Sequence, residues 1–254
     1  GIWCSIMALQ SSGLITLAQI QAEFGGSNPI SLSEYYRNGA YVTSNNTSVP
    51  TSGAISVSNF YGAVKAITVT YQLIGAGGAG GHGNWNSYAT TRAPSGGSSS
   101  VTSAAITNIT AAGGLGGLDA YSNPGIYPDE DRDGVGTVYG AGGIAGPSYA
   151  SETYSPGGNA PAGSYGAGGG GAGGDRASTF DSSGGAGGGG LAGTYLTGTW
   201  LLVPGTQLSV SIGSKGLDDG NGQSPGGAGA NGFARFSKNG GAWTNFTSNG
   251  TYTV

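Results

Sequence analysis

The residues best placed to do chemistry are Asp129-Glu130-Asp131-Arg132-Asp133-Gly134. Carboxylates at positions 1, 3 and 5 with a turn glycine at 6 form the front half of a calcium loop. Hard oxygen donors there surround a hard cation, and Val135 would add its carbonyl at position 7. The pattern then stops. Position 12 is Gly140 instead of a bidentate glutamate, and no helix-forming sequence flanks the loop. Asp129, Asp131 and Asp133 therefore read either as a partial calcium site or as a solvated acidic loop.

Catalytic constellations are sparse. His82 is the sole histidine, so a histidine metal site or proton relay lacks a second member. Asp218-Asp219 are adjacent in a glycine-rich turn, which does not by itself make two carboxylates converge. Gly75-Ala76-Gly77-Gly78-Ala79-Gly80 follows an alternating apolar stretch, Ala66–Ile74, and matches the dinucleotide fingerprint. That fingerprint needs a helix next, and His82-Gly83-Asn84-Trp85-Asn86 does not start one. The acidic residue expected about twenty positions on is also missing. The chain reads as non-enzymatic.

Large aromatics are spread between the glycine runs: Trp85, Tyr88, Tyr121, Tyr127, Tyr139, Tyr149, Tyr154, Tyr165 and Phe180. Exposed Tyr and Trp give contact area at low entropic cost and anchor recognition surfaces. The alternative is that they cover the flanks of a core that has no side chains of its own.

Composition narrows the partners. Lys and Arg total 8, the net charge is −4, and the basic residues are scattered. No basic footprint for nucleic acid exists, and no apolar run approaches the roughly 18 residues of a membrane span. Cys4 is the lone cysteine, so no internal disulfide is expected. Met7-Ala8-Leu9 reads as a natural start behind Gly1–Ile6, with no basic n-region to suggest a secretory signal.

What must position the aromatics is glycine. There are 56 glycines, roughly three times the usual share. They gather in runs at 75–81, 113–117, 140–146, 157–163, 166–174, 184–193 and 220–232. Ordinary helices and sheets lose about 0.5–1 kcal/mol at each glycine. Disorder is normally sustained by charge, yet only 8% of residues are charged and 37% are hydrophobic. The runs thus read as ordered. A polyglycine II helix has three residues per turn and rises about 3.1 Å per residue, so Gly166–Gly174 would span roughly 28 Å. Without Cβ atoms, such helices pack closely and exchange backbone hydrogen bonds. Leu115, Ile144 and Leu191 would point outward from them. Strands are expected at 66–74, 100–110, 200–203, 207–212, 232–237 and 250–254, with turns at Pro204-Gly205-Thr206 and Asn239-Gly240-Gly241.

Ahead of this lies a threefold repeat: Ile15-Thr16-Leu17-Ala18-Gln19-Ile20, Ile30-Ser31-Leu32-Ser33-Glu34-Tyr35 and Ile55-Ser56-Val57-Ser58-Asn59-Phe60. A hydroxyl residue followed three positions later by Gln or Glu makes a capping box in the first two copies. Short helices closing at Gly25, Asn38-Gly39 and Gly62 are expected. The fold class is therefore mostly irregular and β. A module of short helices at 1–64 precedes a domain at 65–254, in which a packed polyglycine II bundle is flanked by antiparallel strands.

Residues 14–62, with their order, caps and spacing, resemble a short module of bacteriophage tail and fibre proteins. Residues 64–254 resemble, in architecture, the glycine-rich adhesins at the tips of long tail fibres of T-even-like phages. The resemblance implies a virion protein at a tail or fibre tip, in which a polyglycine core holds receptor-binding loops. It implies two partners: a bacterial outer-surface receptor, protein or glycan, and another tail or fibre protein held through residues 1–64. The competing expectation is a structural fibre or virion component that does not touch the receptor. No cofactor besides calcium, no nucleic acid and no membrane insertion are expected.

Overall fold

The computed structural model describes residues 8–82, 92–118, 134–145, 156–172, 189–217 and 225–254. Among these the fold is mostly β and irregular, with two four-stranded antiparallel sheets and one α-helix. No described helix is long and apolar enough to cross a membrane.

The helix, α1 (Leu17–Phe24), begins with the expected capping box. Thr16 Oγ1 accepts from the Gln19 N–H, and the Thr16 N–H donates to Gln19 Oε1 at 2.8 Å. The other two repeats form only single 3-10 turns, Leu32–Glu34 and Val57–Phe60, shorter than the glycine stops suggest. Their caps nevertheless form. The Ser31 N–H donates to Glu34 Oε1 at 3.0 Å, and the Ser56 N–H to Asn59 Oδ1 at 2.8 Å. Asparagine thus serves where the sequence pattern calls for Gln or Glu. The repeat also has a packing logic. Its sixth residue, Ile20, Tyr35 or Phe60, is fully buried in each copy. These residues join Phe24, Val42 and Val49 in one core, with Phe60 meeting Phe24 and Tyr35 edge-on at 6.2 and 6.4 Å.

The sheets use strands β1 (Ile67–Ile74), β2 (Ser99–Thr102), β3 (Ile109–Ala111), β4 (Tyr195–Leu202), β5 (Gln207–Ser211), β6 (Phe233–Lys238), β7 (Trp243–Phe246) and β8 (Gly250–Thr253). Their orders are β4-β1-β6-β7 and β3-β2-β5-β8. The two share one core: Val69, Leu73, Leu202, Ala234 and Phe236 from the first, and Val101, Leu208, Val210 and Tyr252 from the second. The expected strand at 100–110 is a hairpin, because Asn108 Oδ1 takes the Ser103 N–H at 3.2 Å and turns the chain. Asn239 and Gly240 both adopt positive φ, 48° and 72°, in the turn that joins β6 to β7, where the Gly241 N–H donates to Lys238 O at 2.8 Å.

Beyond the sheets, β1 to β6 each adjoin a glycine-rich segment, and the hydrogen bonds of these segments recur every third residue. In 75–81, Gly75 and Gly78 donate to Thr194 and Leu191. Ala76 and Ala79 donate to Gly97 and Pro94, and Gly77 and Gly80 to Ala230 and Gly227, all at 2.8–3.1 Å. Three further neighbours donate to this segment: Gly114 and Gly117 to Ala76 and Ala79, Gly216 to Gly77, and Gly169 and Ala172 to Gly78 and Gly81. Six segments therefore surround it. Segment 166–172 has six neighbours by the same test: 75–81, 134–136, 141–144, 156–160, 189–194 and 225–231. Successive neighbours around each centre are bonded or in backbone contact with one another, so ten segments make two fused hexagons.

Close approach explains the composition. A Cβ added at Gly77 or Gly80 would lie 1.9 Å from the carbonyl oxygen of Ala167 or Gly170. Alanine is accommodated at the remaining facet, and Ala76 and Ala79 are both fully buried. On the perimeter, Leu115, Ile144 and Leu191 are exposed.

Candidate functional site

The ten segments share one axis. Segment 75–81 leaves β1 and runs away from the sandwich. Segments 112–117 and 166–172 run parallel to it, since 114 bonds 76, 117 bonds 79, 169 bonds 78 and 172 bonds 81. Segments 93–97, 189–194 and 225–230 run antiparallel, back toward β2, β4 and β6. Segment 213–217 leaves β5 in the outward direction, and 141–144 runs outward beside 166–172. Residues 82, 92, 118, 134, 145, 156, 172, 189, 217 and 225 consequently all lie toward one end, opposite the sandwich. Each of the five stretches that connect them, 83–91, 119–133, 146–155, 173–188 and 218–224, starts and finishes there.

Most of the sequence candidates fall in those stretches. Trp85, Tyr88, Tyr121, Tyr127, Tyr149, Tyr154 and Phe180 lie outside the described residues, as do Asp129, Asp131 and Asp133. Among the described residues no group of three metal-ligating side chains occurs. His82, at the outer end of segment 75–81, is buried.

Tyr139 and Tyr165 are described, and both sit half-buried at the sandwich end. Tyr139 belongs to the turn between segments 134–136 and 141–144, which closes with Thr137 and Gly140 exchanging backbone hydrogen bonds. Its ring meets Phe233, Tyr165 and Tyr195 edge-on at 5.1, 6.1 and 6.3 Å. Tyr165 stacks on Phe233 at 4.3 Å. These two tyrosines dock the second hexagon onto the outer face of β1, β4 and β6. Burial pushes the Tyr139 hydroxyl above its ordinary pKa, and the nearby Arg235 partly offsets this.

Around Tyr139 is a polar group that sequence reasoning did not single out. The Tyr139 hydroxyl donates to Gln72 Oε1 at 2.7 Å, and Arg235 Nε donates to the same oxygen at 2.7 Å. The signal available in sequence was alternation. Gln72 and Arg235 occupy the outward positions of strands whose other positions are apolar. A separate open polar cleft of about 430 Å³ is lined by Ile212, Gly213, Ser214, Asn231, Thr247, Ser248 and Asn249. Asn249 and Asn231 support its wall by accepting from the Ile212 and Lys215 N–H groups.

Comparison with known protein families, with curated proteins and with solved structures found no match.

Proposed function

We propose that this chain is a phage tail or fibre tip protein that binds a bacterial surface receptor, with its glycine segments forming a polyglycine II bundle. The period-three pattern of donors in segment 75–81 and of acceptors in segment 166–172 supports the bundle, since three residues per turn direct successive backbone groups to three different neighbours. In this reading residues 1–64 are a short-helix module that attaches the protein to another tail or fibre component.

One observation carries the receptor role: the described residues that flank five connecting stretches all lie toward the same end of the hydrogen-bonded scaffold. By sequence they hold Trp85, Tyr88, Tyr121, Tyr127, Tyr149, Tyr154 and Phe180. Aromatic residues on connections held by a rigid scaffold are the usual build of a recognition surface. The scaffold itself offers mainly backbone atoms already bonded to one another.

The test is adsorption of the labelled full chain to a panel of bacteria, followed by exchange of 83–91 and 119–133 with sequences from a protein of different host preference. Binding to some strains and not others, redirected by the exchange, is expected. Unchanged strain preference after both exchanges would remove the receptor role from these stretches. Failure of the intact chain to adsorb to any strain would favour a structural virion component.

A further inference from the structure

The outward face of sheet β4-β1-β6-β7 carries a row of polar side chains across all four strands. The register pairs Gln72 with Thr197 and with Arg235, and Arg235 with Asn245. Their strand neighbours Leu73, Ala234 and Phe236 belong to the sandwich core, so alternation turns the row away from it.

Arg235 is held rigidly within this row. Its Nε is bonded to Gln72, and its guanidinium lies 4.4 Å from the centre of the Trp243 ring and 5.6 Å from that of Tyr139. The bond to Gln72 is made by Nε, so it does not use the Nη1–Nη2 edge of the guanidinium. The described carboxylates are Glu23 and Glu34, both in the N-terminal module. The paired Nη donors of an oriented guanidinium match a planar carboxylate. Because its rotamer is already fixed, little conformational entropy remains to be lost on binding.

We propose that this face is a binding site for a carboxylate-bearing saccharide. Arg235 takes the carboxylate, the exposed Trp243 covers the apolar face of the sugar ring, and Asn245, the cross-strand partner of Arg235, serves a hydroxyl. A single cation suits a monoanion better than a doubly charged phosphate. The site lies on the sandwich and not at the end where the described segments lead into the five connections, and it does not depend on the receptor role proposed above.

The experiment titrates the full chain with sodium glucuronate, glucose and inorganic phosphate, following the Trp243 indole resonance by NMR. The W243F variant assigns that resonance. Saturable binding of glucuronate is expected, with glucose at least about tenfold weaker. R235K, which keeps the charge and loses the fork, is expected to weaken glucuronate about tenfold or more, as loss of a charged hydrogen bond implies. Thermal unfolding of R235K checks that the fold persists, and W243A, which leaves Arg235 in place and is titrated by calorimetry because it lacks the indole, is expected to weaken binding several-fold. Absence of saturable glucuronate binding, or an affinity unchanged from the parent in R235K or in W243A, would overturn the proposal. Phosphate binding as tightly as glucuronate would overturn the carboxylate assignment.

Discussion

Gly80→Ala adds one carbon, and the packing around segment 75–81 makes it a severe change. The new Cβ would lie 1.9 Å from Gly170 O and 2.4 Å from Gly170 C, where ordinary contact begins at 3.4 Å. Segment 166–172 would have to retreat by about 1.5 Å. That movement breaks the Gly169-to-Gly78 and Ala172-to-Gly81 hydrogen bonds, both 3.0 Å long. Each buried group left unpaired costs about 1–3 kcal/mol, and overpacking adds about 1–3 kcal/mol. Reduced freedom of the unfolded chain returns about 0.4–1 kcal/mol. The net loss is roughly 5 kcal/mol, a large share of the ~5–15 kcal/mol that holds a domain folded. The opposite change next door, Ala79→Gly, removes one buried methyl and adds backbone freedom, a loss of roughly 1.5 kcal/mol. Urea denaturation followed by near-ultraviolet circular dichroism compares the two. If Gly80→Ala stays within about 1 kcal/mol of the parent, or if Ala79→Gly is the more damaging, the packing argument fails.

Two further outcomes are expected. Asn59→Ala removes the acceptor of the Ser56 N–H and the donor to Ser48 O, and should cost about 1 kcal/mol, read as a lower urea midpoint at constant slope; an unchanged midpoint would show that the third cap is idle. Burial raises the hydroxyl pKa of Tyr35, Tyr139 and Tyr252 in the folded chain. Above the unfolded tyrosine pKa of about 10 the unfolded chain then binds fewer protons than the folded one, so stability holds below that pH and falls as pH rises through the folded values. A melting temperature unchanged well above pH 10, while tyrosinate absorbance at 295 nm still rises, would contradict that linkage.

How much of this was legible in the sequence follows from where side chains are forbidden. Interior segments such as 75–81 and 166–172 announce themselves, because most of their positions face a neighbouring backbone. Segments 93–97, 134–136 and 213–217 were not read as part of the scaffold. They lie on its perimeter, where Ser95, Val135 and Lys215 have room, and each holds two glycines instead of a long unbroken run. β1, β5, β6 and β8 were readable from alternation. β7 was not, because all its residues are at least partly exposed and its apolar pattern is short. The cap motifs correctly located three turn starts. Caps govern initiation and not length, so two of the three ended after a single turn. Tyr139 and Tyr165 have the same sequence surroundings as the other loop aromatics. Only the direction of the segments separates their turns, on the sandwich side, from the stretches at the opposite end.

That direction has a consequence for how the protein changes over time. Four of the five outer connections join segments that are already hydrogen-bonded neighbours, and 119–133 passes just one intervening segment, 189–194. Each connection is therefore a closed loop whose feet are fixed by the scaffold. Doubling the length of such a loop costs only about 0.6 kcal/mol in closure entropy. A single methyl group inside the scaffold costs several times more by the estimate for Gly80. Mutation thus meets two very different tolerances in one chain: a frozen interior that rejects an extra carbon, and five sockets at its far end that accept rewritten and lengthened inserts.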